Sequence, residues 1–141
     1  MTEIWPTRPT IEQISARNKN TMVEYLAIEF TEIGENYICA KMPVNERTKQ
    51  PAGILHGGAN VVLAETIGSV AANVIAAASG KMAVGLEVNA NHLRPVSQGF
   101  VHGKAQAVHL GKTTQIWEIR ISDDSGKLSC ISRLTMAIVN S

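Results

Sequence analysis

The sequence predicts an α+β domain: one antiparallel sheet of five or six strands wrapped around a single long helix. Two observations carry this. Residues 51–80, PAGILHGGANVVLAETIGSVAANVIAAASG, hold one charged side chain, Glu65, and one histidine, His56. Average composition places about seven charges in such a length. Around that stretch lie runs of alternating apolar and polar residues punctuated by turn signals, two before it and four after it. At 141 residues the chain is a single domain, 1–141, with enough length for one core and too little for two.

Taken in order, the chain begins with a short helix over 10–18. Thr10 followed three residues later by Gln13 is a capping-box pattern, and Ile11 with Ile14 supplies an apolar edge. A second short turn spans 21–25. Residues 26–33 alternate, with Leu26, Ile28 and Phe30 on one face, and Gly34-Glu35-Asn36 turns the chain into a second strand over 37–42. The polar loop 43–51 then delivers it to the helix. The helix starts near Gly57 or Gly58 and stops near Gly80. Leu63, Ile67, Val70 and Val74 fall at i, i+4, i+7 and i+11, an apolar ridge to lie on the sheet. Glu65 projects about 160° away from Ile67, and Ser69, one turn on, shares its face. Four strands follow over 82–94, 100–110, 112–122 and 127–139. They are separated by Ser97-Gln98-Gly99, Gly111 and Asp123-Asp124-Ser125-Gly126. Short turns between long strands predict an antiparallel meander.

The composition, 45% hydrophobic and 18% charged with net charge +1, is that of a soluble globular protein. Thirteen basic against twelve acidic residues give no broad attraction to nucleic acid or membrane. Residues 57–79 imitate a membrane span by length. Gly and Ala dominate them, however, and Asn60, Glu65, Ser69 and Asn73 interrupt them; a central acid is costly in lipid. Cys39 and Cys130 lie in strand-like runs without metal-ligand spacing and read as reduced, half-buried residues. The N-terminal MTEIWPTRPT has no apolar signal segment. A cytoplasmic location is expected.

Three places carry candidate chemistry. His56-Gly57-Gly58 puts backbone N–H groups at a helix N-terminus, where they stabilise a phosphate or the oxygen of a polarised carbonyl; alternatively the glycines simply turn the chain sharply. Glu65 is either a solvent-facing helix acid or, in a segment without other charges, a base or nucleophile. His92, in Asn89-Ala90-Asn91-His92-Leu93-Arg94, shares a strand face with Arg94 and is either a substrate contact or an exposed strand tip. His102 and His109 are lone strand histidines, structural or peripheral on the residues alone. There is no HxxxH metal spacing, no nucleotide-binding loop, and no Gly-x-Ser-x-Gly elbow at Ser69. Gly57 and Glu65 are eight residues apart, roughly 12 Å along a helix axis. One chain cannot easily bring both to a single carbonyl, so joint action requires two subunits and a dimer with two symmetric sites.

With these residues in hand, the chain resembles the hotdog-fold thioesterases, in the branch acting on aromatic acyl-CoA thioesters. The resemblance rests on Arg47-Thr48-Lys49-Gln50-Pro51, the block GILHGGANVVLAETIGS, GLEVNANHLRPV, and HLGKTTQIWEI followed by SCISRLT. It is similar in particular to the 1,4-dihydroxy-2-naphthoyl-CoA thioesterases of menaquinone synthesis and the proofreading thioesterases of enterobactin synthesis. Thr66 replaces a serine of some relatives, and Lys112-Thr113-Thr114 stands where others carry basic or histidine residues.

The resemblance implies roles residue by residue. Glu65 is the catalytic carboxylate, nucleophile or general base. Gly57 supplies the N–H that polarises the thioester carbonyl, Gln50 helps orient it, His56 lies near the leaving group, and Ser69 positions water. His92 is placed at the acyl end of the pocket. Gly85, Leu93, Arg94 and Pro95, with His109, Leu110, Gly111, Lys112, Thr113 and Thr114, fall in regions contacting CoA or acyl group. It also implies a homodimer with shared sites, paired into a homotetramer, and no cofactor, CoA being part of substrate and product. No nucleic-acid or membrane partner is expected. Two other readings remain: a hotdog hydratase or dehydratase, and a non-catalytic acyl-CoA-binding protein. Gln50 and the Leu63-Ala64-Glu65 position favour hydrolysis.

Overall fold

A computed structural model describes residues 2–141. Its elements are α1 (Ile11–Ala16), α2 (Met22–Tyr25), β1 (Glu29–Ile33), β2 (Tyr37–Pro43), α3 (Gly57–Ala77), β3 (Lys81–His92), β4 (Phe100–Leu110), β5 (Thr114–Ser122) and β6 (Leu128–Asn140). All six strands form one antiparallel sheet, and α3 packs against β2 to β6. The α+β expectation holds, with six strands.

The N-terminal expectation is met in detail. Thr10 Oγ1 accepts from Gln13 N–H (3.1 Å) while Gln13 Oε1 accepts from Thr10 N–H (3.0 Å), both halves of the capping box. The strand expected from residue 26 begins only at Glu29. Leu26 caps α2, and Ala27 takes a left-handed φ of 58°, a local conformation that breaks an extended run. Ile28 and Phe30 are buried nonetheless, so the alternation had the right phase.

The sheet is not a meander. Its order is β1-β2-β4-β5-β6-β3, which leaves β3 on an outer edge beside β6 and sets β4 next to β2. The connection 93–99 makes this possible. Seven extended residues reach roughly 23 Å, and three strand spacings need about 14 Å. The segment is tied down as it crosses: Leu55 N–H donates to Val96 O and Val44 N–H to Gly99 O, both at 2.8 Å.

The apolar ridge of the helix also needs correcting. Leu63 and Ile67 are fully buried, but Val70 and Val74 are only half-buried. The face on the sheet is Leu63, Ala64, Ile67, Gly68, Ala71 and Ala72. Small residues win because the helix sits very close to the strands. A Cβ at Gly68 would stand 2.5 Å from Leu134 Cδ2, and one at Gly103 of β4 would stand 2.6 Å from Ile67 Cδ1. Periodicity of large residues cannot report a contact made by small ones. Although α3 is long and apolar enough to cross a membrane, it is the core helix of this sheet. Both cysteines are free thiols; Cys39 is half-buried as expected, whereas Cys130 is fully buried.

Candidate active site

The loop from β2 to α3 is built to hold Gln50. Thr48, 2% exposed, donates from Oγ1 to Pro43 O (2.8 Å), and its carbonyl accepts from His56 N–H (2.7 Å). Residues 50–53 close a tight turn in which Gly53 N–H donates to Gln50 O (2.9 Å), with Gly53 at a φ of +82° that favours glycine. Gln50 Oε1 accepts from Ala52 N–H (2.6 Å). Its amide nitrogen is thereby left as the outward end of the side chain, a donor without acceptor character.

At the start of α3, His56 is the N-cap: its Nδ1 accepts from Gly58 N–H (2.8 Å). This satisfies one of the orphan donors of a helix N-terminus and leaves the proton of the neutral ring on Nε2. Gly57 N–H has no acceptor among the described residues. Neither Gly57 nor Gly58 has a positive φ, so they are not glycines for the sake of a sharp turn. Ring approach explains them. A Cβ on Gly57 would lie 3.0 Å from His92 Nε2, and one on Gly58 would lie 3.0 Å from His56 Nδ1.

His92 comes from the end of β3 and lies over the first turn of the helix. Its Nδ1 is 3.3 Å from Asn60 Nδ2, and Asn60 is buried at 6% exposure. Sequence reasoning missed Asn60. Its position three residues after Gly57, and so on the same face, was the available signal. Gln50, Gly57, Asn60 and His92, with Ile54, Leu55 and residues 93–96, line a cleft of about 440 Å³. Among the described residues that line it there is no carboxylate, and Arg94 is the one Arg or Lys. Leu93, Arg94 and Pro95 line this cleft beside Gln50 and Gly57. The cleft presents N–H groups on otherwise apolar walls, an arrangement that stabilises developing negative charge on an oxygen.

Glu65 is elsewhere. Half-buried in the third turn of α3, it lines a second hollow of about 350 Å³ with Met22, Val23, Val62, Thr66, Ser69 and Val70. It makes no ion pair among the described residues. Its carboxylate rests on Gly85, where a Cβ would collide with Oε2; β3 bulges between Gly85 and Glu87. The two hollows share no lining residue. One chain therefore brings Gln50, Gly57 and His92 together, and separately Glu65, Ser69 and Gly85. His56 sits exposed at the rim as helix cap. The segment His109, Leu110, Gly111, Lys112, Thr113 and Thr114 forms the β4–β5 hairpin end, held by Gly111 N–H to Thr114 O and Ile138 N–H to Thr113 O (both 2.9 Å). It lines neither hollow.

Comparison with known proteins agrees with this architecture. Residues 52–130 match the family described as the thioesterase superfamily. The 1,4-dihydroxy-2-naphthoyl-CoA hydrolase of Escherichia coli is 49% identical, over 96% of this chain and 99% of that one. The proofreading thioesterase EntH of Cronobacter turicensis is 46% identical, over 96% and 98%. A crystal structure of a mutant of thioesterase PA1618 from Pseudomonas aeruginosa superposes with a TM-score of 0.95 at 50% identity, covering 97% of this chain and 99% of that one. The six-stranded sheet around one helix is the hotdog fold, and with a family match over most of its length the chain belongs to the thioesterase superfamily as a thioester hydrolase.

Proposed function

We propose that the protein hydrolyses aromatic acyl-CoA thioesters of the dihydroxynaphthoyl or hydroxybenzoyl type, and medium-chain acyl-CoAs, to free acid and CoA. The observation that carries this is the division of one chain into a donor-lined cleft at Gly57 and a carboxylate hollow at Glu65, about 12 Å apart along the helix. The names of the relatives, a naphthoyl-CoA hydrolase and a proofreading thioesterase, support the substrate class and a place in menaquinone or a similar aromatic pathway.

In this reading Gly57 N–H and Gln50 Nε2 donate to the thioester carbonyl oxygen, and Glu65 of a second copy acts at the carbonyl carbon. As nucleophile it forms an anhydride that water then opens; as general base it takes a proton from water while the hydroxide adds. Either way the C–S bond breaks, CoA leaves as the thiol, and Ser69 orients the water. His56 at the rim meets the departing sulfur, and His92 faces the acyl carbonyl region. Arg94 at the cleft and Lys112 of the 109–114 segment are the cationic side chains this reading assigns to the phosphates of CoA. No cofactor enters these steps.

The edge position of β3 fits the two-copy requirement. Its outer face exposes Met82, Val84 and Leu86, the last at 62%, and its backbone has β6 on one side only. An unpaired edge with an apolar row is a template for a second copy. Antiparallel pairing of two β3 strands continues the sheet and carries each Glu65 toward the other chain's cleft. A homodimer, itself paired into a tetramer in the cytoplasm, is the assembly proposed. The test is thiol release from benzoyl-CoA by wild type and Glu65→Ala. Equal rates would sink the assignment. Single-turnover hydrolysis in ¹⁸O-labelled water separates the two roles of Glu65, since label appearing first in its carboxylate requires the anhydride.

A further inference from the structure

We infer that Asn60 is a positioning residue: it fixes His92 as the tautomer protonated on Nε2, so that the ring presents a hydrogen-bond donor to the cleft beside the free N–H of Gly57. This rests on the hydrolytic reading of the cleft and assigns a role to a residue outside the set carried by the family resemblance.

Asn60 Nδ2 lies 3.3 Å from His92 Nδ1. An amide nitrogen only donates, so with Nδ2 turned to the ring the contact is a hydrogen bond only when Nδ1 is bare and the proton of the neutral ring is on Nε2. That nitrogen lies against Gly57, 3.0 Å from where a Gly57 Cβ would stand. His56 is set the same way, its Nδ1 occupied by Gly58 N–H, and Gln50 by Ala52 N–H on its oxygen. Gln50, His56 and His92 therefore each have an acceptor atom engaged inside the protein and a donor left over. Asn60 does for His92 what the backbone does for the other two.

Fold stability does not account for Asn60. The side chain is 6% exposed, and its Oδ1 has no hydrogen-bond partner among the described residues. A buried acceptor without a partner weakens a fold, and its neighbour Ala59 and the next turn's Leu63 and Ala64 are apolar and buried. A residue placed there for packing would be apolar too. Asn60 keeps an unmatched oxygen in order to aim its nitrogen at His92.

The test compares wild type with Asn60→Leu, which keeps the volume and removes the donor, and with Asn60→Ala in case Leu disturbs the first turn. Long-range ¹⁵N–¹H spectra of the imidazoles at about pH 8, where histidine is neutral, report the tautomer. The His92 signals are identified by their loss in His92→Gln. Wild type is expected to show Nε2–H and bare Nδ1 at His92, and the variants a mixture of tautomers. The variants should lose about tenfold in kcat on benzoyl-CoA with KM changed by less than about threefold, as for a donor used mainly in the transition state. Their Tm should be unchanged or higher, the opposite of what a structural role predicts. Protonated Nδ1 in wild type would overturn the inference, because the amide would then present its oxygen. So would an unchanged tautomer, or unchanged kcat in both variants. A wild type that binds CoA thioesters without cleaving them overturns the hydrolytic reading separately, since the spectra report the tautomer with or without turnover.

Discussion

The carboxylate of Glu65 rests on Gly85, on the outer strand of the sheet, and any side chain at Gly85 would occupy the same space. Gly85 has no positive φ, so its glycine is a matter of room for the acid and not of backbone conformation. A helix residue and an edge-strand residue thus define one surface, and the position of the acid depends on a strand free of side chain at that point.

Gly85→Ala should therefore displace Glu65 while leaving the fold alone. Alanine suits an extended backbone at least as well as glycine, and Gly85 is exposed, so Tm should stay within about 2 °C of wild type. Moving a reacting group by about 1 Å can cost a hundredfold. A kcat lowered by about tenfold to a hundredfold on benzoyl-CoA, at unchanged Tm, is the expected outcome. Wild-type turnover would show that Glu65 does not need its present position.

The opposite balance is expected at Gly68. Alanine is the better helix former by about 1 kcal/mol, but its Cβ would stand 2.5 Å from Leu134 Cδ2 and 3.6 Å from Ile119 Cδ1. Leu134 and Ile119 are fully buried, so neither methyl has space to turn into, and overpacking of this kind costs about 1–3 kcal/mol. Gly68→Ala should be destabilised by about 1 kcal/mol net, read by urea unfolding at unchanged m. A stabilised variant would mean that the helix can lift off the sheet.

What the sequence made legible follows from these two glycines. Strand phase, the capping box at Thr10, the start of α3 and the isolation of Glu65 were readable because each is a local pattern of large, polar or charged residues. The packing face of α3 was not, because Gly68, Ala71 and Ala72 mark it by their smallness. Strand order was not, because turn signals around Gly99 say that the chain leaves β3 but not that residues 93–99 pass β6 and β5 before β4 pairs with β2. Asn60 was visible as a polar interruption, whereas its burial against His92 depends on where β3 ends. The Gly57-to-Glu65 distance, by contrast, is fixed by helix geometry alone, and the two separate hollows agree with it.

Cys39 gives a prediction in pH. Burial, and secondarily the charge of Glu32, pushes its thiol up from 9.0 to about 11. In the unfolded chain the thiol ionises near its ordinary value, so as pH rises past about 9 the unfolded state loses a proton that the native state keeps. The stabilising contribution is complete below that pH and is lost as pH climbs toward about 11. Stability of wild type should fall in that window more steeply than that of Cys39→Ala. The thiolate is the reactive form, so alkylation of native Cys39 by iodoacetamide at neutral pH should also be much slower than that of an exposed thiol. Fast alkylation at neutral pH would contradict the burial effect.

Complementation between inactive subunits addresses the division of the site most directly. Gln50→Ala damages the cleft, and Glu65→Ala removes the carboxylate. If each site takes its cleft from one chain and its acid from the other, a mixed dimer holds one doubly damaged site and one intact site. Random reassembly of equal amounts makes half the dimers mixed, so about a quarter of all sites regain both parts. Each variant alone should be nearly inactive, and activity should appear on co-refolding to about a quarter of the wild-type value per subunit. Simple mixing without unfolding should restore activity only as fast as subunits exchange. If cleft and acid instead served the same chain, no mixture could contain an intact site and activity would stay at the level of the separate variants. Adding Gly85→Ala to the Glu65→Ala chain should leave the recovered activity unchanged, because the intact site draws its acid, and the Gly85 beneath it, from the Gln50→Ala chain. Adding it to the Gln50→Ala chain should lower the recovered activity by about tenfold to a hundredfold.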